Sequence, residues 1–345
     1  MTATPPQLLD VTVRDGGYLI NHKYLPNKVA AIAKGLQDAG IGYAEISHGI
    51  GIGGKLMGFP AVADDEALLT AAKEAAPALK LCVFISPVDV SLPLIPALVE
   101  FFEIGRIGVS VNKVQEAGKF VQKLKKYQKT VAVQLARSHA RPPEEAASAA
   151  KTAEEMGADI VYVVDTFGSM LPQEAKDYIS AVRAKVKIPI GFHGHNNLGL
   201  AIPNTLAAWE TGATWLDGSL MSVGRGAGNA NLEILIQQLQ NRGQLGSVDL
   251  KKLCQATEQV VLPIFGSPPL SKYVDLLFGR EKLDYSPGEF LELCSSSVGI
   301  PLEELLMQIH NKMGSEIALA DTHIQAVLHE YGVDYQKMIN SLKDI

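Results

Sequence analysis

The feature that most constrains the fold of this chain is a regular alternation of short, β-rich apolar runs with longer amphipathic stretches. The short runs are typical of buried strands, and the longer ones are typical of helices with one apolar face. The predicted strands cover residues 8–13, 43–47, 81–85, 106–111, 130–135, 160–164, 188–193 and 214–220. The predicted helices cover residues 26–39, 64–79, 92–102, 114–127, 142–156, 172–186, 202–211 and 231–239.

Eight strand–helix units within about 240 residues predict an α/β protein, and specifically a closed (β/α)8 TIM barrel. An open, doubly wound sheet has the same alternation and is the alternative. After Gly246 the β-rich runs stop, and helical patterns continue over residues 248–262, 289–296, 301–311, 317–330 and 334–342. We therefore divide the chain into a barrel domain, residues 1–245, and a C-terminal helical domain, residues 246–345.

Composition excludes several classes of protein. The 345 residues carry a net charge of −6 and a mean hydropathy of +0.11, an ordinary profile for a globular protein with a large core. No basic block suggests a nucleic-acid partner, since the five lysines between Lys119 and Lys129 fit the solvated face of a helix. We expect no signal peptide, because residues 1–10 contain neither a basic nor an apolar region. We also expect no membrane span, because the most apolar stretch, residues 81–102, contains Asp89 and three prolines. With three widely spaced cysteines, these features indicate a cytoplasmic protein.

Two histidines follow the seventh predicted strand, in the sequence Gly191-Phe-His-Gly-His-Asn-Asn-Leu-Gly199. Residues two apart on a strand point to the same face, so His193 and His195 should project together at the carboxyl end of the barrel. Two imidazoles in that arrangement bind one divalent metal and leave coordination positions open. The alternative is a pair of hydrogen-bonded histidines in a loop.

The first predicted strand ends in Thr12-Val-Arg-Asp-Gly-Gly17. We expect the two glycines to permit a sharp turn that directs both Arg14 and Asp15 toward the barrel mouth. Asp15 would then complete a set of two histidines and one carboxylate with His193 and His195, which is typical of a catalytic metal rather than a structural one. A surface ion pair between Arg14 and Asp15 is the alternative.

The second predicted strand leads from Glu45-Ile-Ser-His48 into Gly49-Ile-Gly-Ile-Gly-Gly-Lys55. The glycine spacing matches a dinucleotide-binding loop and nearly matches a phosphate-binding loop. Leu56 stands where a phosphate loop needs Ser or Thr, and no helix follows directly, so a mobile loop over the barrel mouth is the better interpretation. His48 either supports the site or is a simple loop histidine.

Other strand ends carry polar groups that suit a carboxylate: Ser138-His139 after the fifth, Asp165-Thr-Phe-Gly-Ser169 after the sixth, and Gly224-Arg-Gly-Ala-Gly-Asn-Ala230 after the eighth. The hydroxyls of Thr166 and Ser169, or backbone amides of the last loop, would bind such an anion. We count Ser138 with them as a candidate for substrate binding. Each segment by itself is an ordinary turn.

Taken in chain order from Leu8 to about Leu239, these strand-end motifs resemble the metal-dependent pyruvate aldolases, in particular 4-hydroxy-2-oxovalerate (4-hydroxy-2-oxoacid) aldolase. The motifs are Thr-x-Arg-Asp-Gly, Ser-His-Gly, Ser-His, Asp-Thr, His-x-His-Asn-Asn-Leu and Gly-x-Gly-Ala-Gly-Asn-Ala. The wider superfamily of TIM barrels includes hydroxymethylglutaryl-CoA lyase and isopropylmalate synthase. The resemblance weakens over roughly the last hundred residues.

The resemblance implies a role for each matched residue. The metal would be held by Asp15 and the two histidines; Mn²⁺ is expected, with Mg²⁺, Co²⁺ or Zn²⁺ as alternatives. Asn229 matches an asparagine that reaches the metal in the lyase branch. Arg14 would stabilise an enolate, and Thr166, at the position of a family serine, would help to position the carboxylate of pyruvate.

One departure from the family pattern concerns the acid/base group. The aldolases place a histidine three residues after the metal-binding aspartate, where this chain has Tyr18. The catalytic candidates are therefore Tyr18, His48 and His22, of which the last matches a different family histidine. For a tyrosine that the family supplies from its C-terminal region, the candidates are Tyr273 and Tyr285.

The resemblance implies reversible cleavage of a 4-hydroxy-2-oxoacid to pyruvate and an aldehyde. The first alternative is a Claisen-type lyase or synthase acting on an acyl-CoA, although the sequence shows no obvious basic site for the nucleotide of CoA. The second is a non-catalytic barrel that serves as a subunit of an aldehyde dehydrogenase complex. The family also implies an acylating aldehyde dehydrogenase as partner, and we expect a homo-oligomer.

Overall fold

Eight parallel strands close into a barrel in the computed structural model, which describes residues 5–283, 288–314, 316 and 319–343. The strands follow one another around the barrel in chain order, and β1 pairs with both β2 and β8. They are β1 Gln7–Asp10, β2 Tyr43–Glu45, β3 Lys80–Ile85, β4 Ile104–Ser110, β5 Thr130–Ala136, β6 Ile160–Asp165, β7 Ile190–Gly194 and β8 Trp215–Gly218. This closure confirms the predicted TIM barrel, since an open doubly wound sheet would keep two edge strands.

Helices connect successive strands on the outside of the barrel. A short helix, α1 (Thr12–Gly16), follows β1 and runs into a 3₁₀ turn, Gly17–Ile20. The helices between later strands are α2 Pro26–Asp38, α3 Asp65–Ala75, α4 Ile95–Leu98, α5 Gly118–Lys126, α6 Pro143–Glu155, α7 Pro172–Lys185, α8 Ala201–Thr211 and α9 Leu232–Gln240. Several begin at a start signal in the sequence: a proline in the first turn of α2, α6 and α7, and in α3 a cap from Asp64 to the Ala67 amide.

Two predicted elements near the site are shorter than the sequence indicates. Although a strand is predicted to residue 13, β1 ends at Asp10, whose carboxylate accepts hydrogen bonds from the Thr12 amide (3.0 Å) and hydroxyl (2.6 Å). These bonds turn the chain directly into α1. The helix predicted over residues 92–102 is a 3₁₀ turn, Leu92–Leu94, followed by α4, because Pro96 has no amide hydrogen to join the two pieces.

The chain beyond the barrel first packs against it. Helix α10 (Leu250–Ala256) and a π-helical turn (Thr257–Val261) contribute buried side chains to the same apolar cluster as the barrel helices, and partly buried side chains of α11 (Leu262–Phe265) pack against it. Gly35 in α2 allows this approach, since a Cβ added there would stand 2.5 Å from the Cβ of Ala256. The division of the chain between residues 245 and 246 stays a prediction.

A second apolar cluster joins the later helices, α12 Tyr273–Glu281, α13 Gly288–Val298, α14 Leu302–Met313, α15 Asp321–Glu330 and α16 Tyr335–Lys343. The sequence pattern does not predict α12. This helix lies against the loop after β7, where Asn197 Nδ2 donates to the Asp275 carbonyl oxygen (3.3 Å). Within the described ranges, no helix has the length and apolar character needed to cross a membrane.

Candidate metal centre

Three buried side chains converge just beyond the carboxyl ends of β1 and β7. Asp15 Oδ2 lies 3.6 Å from His193 Nε2 and 3.7 Å from His195 Nε2, and 3.4 Å separates the two imidazole nitrogens. We call these residues the triad. Among the residues that the structure describes, the triad is the one group of three or more histidine, cysteine or acidic side chains whose ligand atoms lie within reach of a common metal ion.

The hydrogen bonds of the two imidazoles fit a bound cation. His195 Nδ1 donates to the Arg225 carbonyl oxygen (3.3 Å), and His193 Nδ1 donates to the Asp217 carboxylate (2.8 Å). Because these oxygens only accept, the Nε2 atom of each neutral ring keeps a lone pair, and the two Nε2 atoms lie next to each other and to Asp15 Oδ2. Asp15 Oδ2 has no hydrogen-bond partner. The donor set therefore suits a divalent ion, whose ligand bonds of about 2.1 Å place neighbouring ligands roughly 3.0–3.4 Å apart.

Burial and charge set protonation states that favour metal binding. Burial alone raises the pKa of the Asp15 carboxyl, but Arg14 and the two imidazoles hold it well below its usual range. Burial lowers the pKa of His195 to about 3. The pKa of His193 is raised, because its contacts with Asp15 and Asp217 outweigh the effect of burial. A carboxylate and neutral imidazoles are the forms that bind a metal, so a proton competes with the metal at His193 as the pH falls.

The triad belongs to a closed circuit of buried charges. Arg14 donates from Nη1 to Asp15 Oδ1 (2.8 Å) and from Nε to Glu45 Oε2 (2.7 Å). Arg106 Nη1 lies 3.0 Å from the same Glu45 oxygen, and Arg106 Nη2 pairs with Asp217 Oδ2. Asp217 completes the circuit through its contact with His193. Each charge is therefore matched by another one rather than by water, which is what keeps such groups stable in a barrel interior.

Sequence reasoning did not identify Glu45, Arg106 or Asp217 as site residues. The sequence does contain a signal that could have identified these residues, since each is a charged residue in or at the end of an apolar run that forms a strand. Arg106 is fully buried, with its guanidinium 4.7 Å from the centre of the Tyr162 ring. Its partners come from β2 and β8, which are distant in sequence, so local pattern does not show which charges pair.

We expect Asp217→Asn to weaken Mn²⁺ binding by about 10- to 100-fold, because an amide oxygen is a weaker acceptor for the His193 Nδ1–H. Titration calorimetry of the metal-free protein measures the affinity. Asp165→Asn is a matched control, since Asp165 is also a buried aspartate at a strand end but lies outside the circuit. An Mn²⁺ affinity equal to that of the wild type would mean that Asp217 only balances the charge of Arg106.

The glycines after Asp15 act differently from the predicted sharp turn. Gly16 and Gly17 have ordinary right-handed helical angles, with φ of −63° and −52°. The prediction of a glycine-dependent turn is therefore wrong, and α1 itself directs Arg14 and Asp15 into the barrel. The glycines leave room: a Cβ on Gly17 would stand 2.4 Å from His22 Nδ1, and one on Gly16 would stand 2.7 Å from a methyl group of Val223.

A pocket opens over the triad, and Arg14, Tyr18 and Thr166 line it. Thr166 Oγ1 accepts a hydrogen bond from the Arg137 amide (2.8 Å). Burial raises the pKa of the Tyr18 phenol, and the charge of Asp15 adds to that rise. Tyr18 therefore carries its proton at neutral pH and is a hydrogen-bond donor there.

Asn229 lies beside the triad, since its backbone forms a β-bridge with that of His195. The Asn229 side chain is buried, its Nδ2 donates to the Val223 carbonyl oxygen (3.2 Å), and its Oδ1 has no hydrogen-bond partner. An unsatisfied buried oxygen costs free energy unless a ligand reaches it. Asn229 therefore stays a predicted further metal ligand.

His22 and His48 line a separate cavity and not the pocket of the triad. Their ring centres are 3.7 Å apart. His48 Nδ1 accepts from the Ile50 amide (3.2 Å), its Nε2 donates to the Pro60 carbonyl oxygen (3.1 Å), and His22 Nδ1 accepts from the Gly49 amide (3.3 Å). Burial lowers the pKa of both rings, that of His22 to about 3. In this geometry the two neutral rings hold the glycine-rich loop in place.

The glycine-rich loop is bound to the protein's own carboxylate. Asp65, in the first turn of α3, accepts hydrogen bonds from the amides of His48 (3.2 Å) and Gly53 (2.7 Å). These amides are the kind of group that a phosphate loop would offer to a nucleotide. Their use by Asp65 agrees with the sequence argument against a phosphate-binding loop.

The hydroxyls of Ser138 and Ser169 are used within the barrel wall. Ser138 Oγ donates to the Leu135 carbonyl oxygen (2.7 Å) and accepts from the Val164 amide (3.3 Å). The amide of Ser169 donates to Asp165 (3.0 Å), and its hydroxyl lies 3.5 Å from the same oxygen. Neither serine lines the pocket, so this geometry does not support their predicted contact with substrate.

Two predicted tyrosines remain to be placed, and two further arginines also concern the site. Tyr273, on α12, is 59% exposed and does not line the pocket. Tyr285 lies outside the described residues. Arg137 and Arg225 do line the pocket, although neither side chain is predicted as a site residue.

Comparisons with known proteins show where the chain belongs. The HMGL-like family model matches residues 94–260. Oxaloacetate decarboxylase from Mycobacterium tuberculosis is 37% identical over 313 residues, which cover 89% of this chain and 92% of that protein. 4-Hydroxy-2-oxovalerate aldolase 2 from Nocardia farcinica is 36% identical over 305 residues, which cover 88% of each chain.

Among solved structures, the carboxyl transferase domain of Rhizobium etli pyruvate carboxylase with pyruvate is similar, with a TM-score of 0.76. The match covers 95% of this chain and 61% of that chain at 18% identity, so it shows a shared fold alone. The identity to the two enzymes above extends over nearly the whole chain, and an aldolase and a decarboxylase both break carbon–carbon bonds. The chain is therefore a carbon–carbon lyase that belongs to the 4-hydroxy-2-oxovalerate aldolase family of HMGL-like TIM barrels.

Proposed function

We propose that this protein is a metal-dependent class II aldolase that reversibly cleaves a 4-hydroxy-2-oxoacid to pyruvate and an aldehyde. The observation that carries the proposal is the triad next to Arg14. Three potential ligand atoms lie within 3.4–3.7 Å of one another, and Arg14 lines the same pocket. Membership of the aldolase family supports the same reaction.

The triad would hold the divalent ion, with Asn229 as a further ligand, and we propose Mn²⁺ as that ion. When bound, the ion supplies a Lewis acid that draws electron density from the keto group of the substrate. A set of two histidines and one carboxylate leaves coordination positions open for substrate oxygens, as a catalytic metal requires.

Arg14 and Thr166 are proposed to act on the pyruvate half of the substrate. Cleavage of the C3–C4 bond leaves its electron pair on the pyruvate half as an enolate, and C3 then takes up a proton. The bonds of Arg14 to Asp15 and Glu45 hold the plane of its guanidinium before substrate arrives, so its charge stabilises the enolate without reorganisation. Thr166, which lines the same pocket and accepts a hydrogen bond from the Arg137 amide, would bind the carboxylate of pyruvate.

Tyr18 is the proposed acid/base group at the C4 oxygen, where the hydroxyl loses its proton as the aldehyde forms. Burial raises its pKa above the usual value near 10, so the phenol donates a proton or a hydrogen bond at pH 7 and is a poor base there. In the direction of aldehyde addition, Tyr18 would protonate the new C4 alkoxide. In the direction of cleavage, Tyr18 would take the proton of the C4 hydroxyl only after its own phenol has ionised at high pH.

We expect Tyr18→Phe to lower kcat over the whole pH range and Tyr18→His to move the rise of the pH–rate profile toward neutral pH. The reason is that an imidazole titrates near pH 6.5, whereas the pKa of Tyr18 is raised above that of an ordinary phenol. Profiles of cleavage rate for the three proteins between pH 6 and about 10.5 make the comparison. A phenylalanine variant as active as the wild type at every pH would leave Tyr18 as a wall of the pocket.

The direct test of the function is pyruvate release from a series of 4-hydroxy-2-oxoacids by protein stripped of metal and then reconstituted with Mn²⁺. We expect turnover that is lost on chelation and restored by the metal. Acyl-CoA substrates in parallel test the Claisen-type alternative. Metal-dependent cleavage of an acyl-CoA without release of pyruvate from any oxoacid would overturn the proposal.

Oxaloacetate decarboxylation is a second candidate function, which the 37% identical Mycobacterium tuberculosis enzyme favours. The reaction breaks the bond from C3 to the second carboxyl group, releases carbon dioxide and leaves the same pyruvate enolate. The triad and Arg14 would serve it without change. Carbon dioxide release from oxaloacetate, corrected for the rate with free Mn²⁺, compares the two activities in one preparation.

We also propose a cytoplasmic location, a homo-oligomer, and an acylating aldehyde dehydrogenase partner that binds the C-terminal helices. Three apolar side chains on α12 and α14 support a contact surface there, since Tyr273, Leu276 and Met307 are exposed. Light scattering tests the oligomer, and affinity capture from the native cells tests the partner. Capture that brings down no dehydrogenase would count against the partner.

A further inference from the structure

We infer that Arg225 forms a second anion-binding subsite, which takes a carboxylate carried by the aldehyde half of the substrate. The inference rests on the proposed aldolase function and names a substrate class for it. That class is the 4-hydroxy-2-oxoacids with a second carboxylate beyond C4, which yield pyruvate and an aldehyde that is itself an acid.

The first observation is the number of cationic side chains in the pocket. Three arginines line it, Arg14, Arg137 and Arg225, with Asp15 as the acidic residue of the lining. Arg14 serves the enolate, and the pyruvate end of the substrate presents one carboxylate. A small neutral aldehyde such as acetaldehyde has no group that would use a further arginine. A substrate with two carboxylates does.

The second observation is that Arg137 and Arg225 line the pocket from different strands, β5 and β8, which are not neighbours in the barrel. Arg137 follows β5, and its amide donates to the hydroxyl of Thr166 (2.8 Å), so it stands next to the residue proposed to bind the carboxylate of pyruvate. Arg225 follows β8, and its charge opposes the rise in the pKa of Tyr18 that burial causes, so it acts on the phenol from nearby. Since Tyr18 is proposed to act on the C4 oxygen, the carbon beyond C4 lies toward Arg225.

The third observation is that the backbone at Arg225 is joined to the metal site. Its carbonyl oxygen accepts from His195 Nδ1 (3.3 Å), and Asn229, four residues later, forms a β-bridge with His195. Gly226 and Gly228 have positive φ angles of 64° and 87°, which a residue with a side chain rarely adopts. The loop is thus held close to the triad, and the Arg225 side chain starts from a fixed point beside it.

A guanidinium at this position can bind a ligand whatever else it contacts. It presents five N–H groups in a planar fork, and Arg14 shows that one guanidinium binds two carboxylates at once. A carboxylate matches that fork through two parallel hydrogen bonds.

The chemistry favours an acidic aldehyde over a leaving carboxylate as the group at Arg225. A carboxylate on the aldehyde keeps its negative charge throughout the aldol reaction, so Arg225 would stabilise substrate and transition state equally and lower KM. In decarboxylation the second carboxylate becomes neutral carbon dioxide, so a cation bound to it would oppose the reaction. The subsite therefore supports the aldol activity more than the decarboxylase activity.

The test runs the reaction toward synthesis, with Mn²⁺, saturating pyruvate and a series of aldehydes. Glyoxylate and succinic semialdehyde carry a carboxylate, acetaldehyde and propanal are neutral, and glyceraldehyde 3-phosphate with glyceraldehyde tests a phosphate in the same place. We expect the wild type to prefer the carboxylated aldehydes in kcat/KM. In Arg225→Gln, the ratio of kcat/KM for glyoxylate to that for acetaldehyde should fall about 10- to 100-fold through KM, as expected for loss of a charge-assisted hydrogen bond.

Arg137→Gln is the matched control, because it removes an arginine from the same pocket that follows a different strand. It should raise the KM for pyruvate and lower the rates with both kinds of aldehyde in parallel, so that their ratio stays near the wild-type value. The Mn²⁺ affinity and thermal unfolding of both variants show whether the site and the fold are intact. A misfolded glutamine variant can be replaced by Arg225→Lys, which keeps the charge and should lose less of the selectivity.

Three results would overturn the subsite. They are a wild type that prefers neutral aldehydes, an Arg225→Gln variant that loses both aldehyde classes in parallel, and a preference for the phosphate over the carboxylate. Failure of the aldolase function itself looks different: pyruvate would then show no metal-dependent exchange of its C3 hydrogens with deuterated water, and no aldehyde would react.

Discussion

Replacement of any one residue of the triad, by Asp15→Asn, His193→Ala or His195→Ala, is expected to abolish metal-dependent turnover while the barrel stays folded. The alanine variants remove a ligand atom and Asp15→Asn removes the negative charge from one, in a set of three atoms that lie within 3.4–3.7 Å of one another. Loss of a group that only orients a ligand costs about 10- to 100-fold in metal affinity, so loss of a ligand itself should cost more than about 100-fold.

Mn²⁺ stoichiometry by elemental analysis, together with pyruvate release, measures both parts of this expectation. His139→Asn serves as a control, because His139 is a buried histidine in the turn after β5. It lines neither the pocket of the triad nor the cavity lined by His22 and His48. Thermal unfolding of the metal-free proteins separates loss of the site from loss of the fold. Full metal content and full activity in two of the three variants would place the catalytic metal elsewhere.

Arg14→Lys should bind Mn²⁺ with nearly wild-type affinity but lose about 100-fold or more in kcat. The guanidinium of Arg14 reaches Asp15 and Glu45 with two nitrogens and lines the pocket at the same time. An ammonium is a point charge without a planar fork, so it cannot keep both carboxylates and still present a fixed cation to the enolate.

The comparison needs both kcat and KM for the cleaved oxoacid, with Mn²⁺ affinity measured on the same preparation. A fall in kcat with metal binding preserved would place Arg14 at the charge that develops in the transition state. If Mn²⁺ affinity falls as much as turnover does, Arg14 acts by holding Asp15, and the enolate must find its stabilisation from another group. A lysine variant with wild-type kcat would exclude Arg14 from the chemistry.

The residues of the triad illustrate how far local pattern extends into function. His193 and His195 are two positions apart at the end of a strand, and strand geometry alone requires that they point the same way. Asp15 follows another strand of the same barrel, and parallel strands in a barrel bring their carboxyl ends to one face. The eightfold alternation predicts the barrel, so the approach of these three side chains could be expected before any coordinates.

Other parts of the site depend on distances that no local pattern contains. Whether Arg106 pairs with Glu45 and Asp217 depends on the register of β2, β4 and β8 and on closure of the barrel, because those strands are not neighbours in sequence. In the sequence, Arg106 is a charge at the start of an apolar run. In the barrel, it is the fully buried link between two carboxylates.

The positions of the polar loop residues likewise depend on the tertiary structure. The sequence puts His22, Ser138 and Arg225 on loops after strands, and the first two are its predicted site residues. In the folded chain, His22 bonds to the glycine-rich loop, Ser138 bonds within the barrel wall, and Arg225 enters the pocket. Residue type and strand order were enough to determine the barrel, the approach of the three side chains of the triad and the family. Packing decided which polar residues line the pocket, because a loop side chain can satisfy its hydrogen bonds in several directions and only its neighbours in space select one.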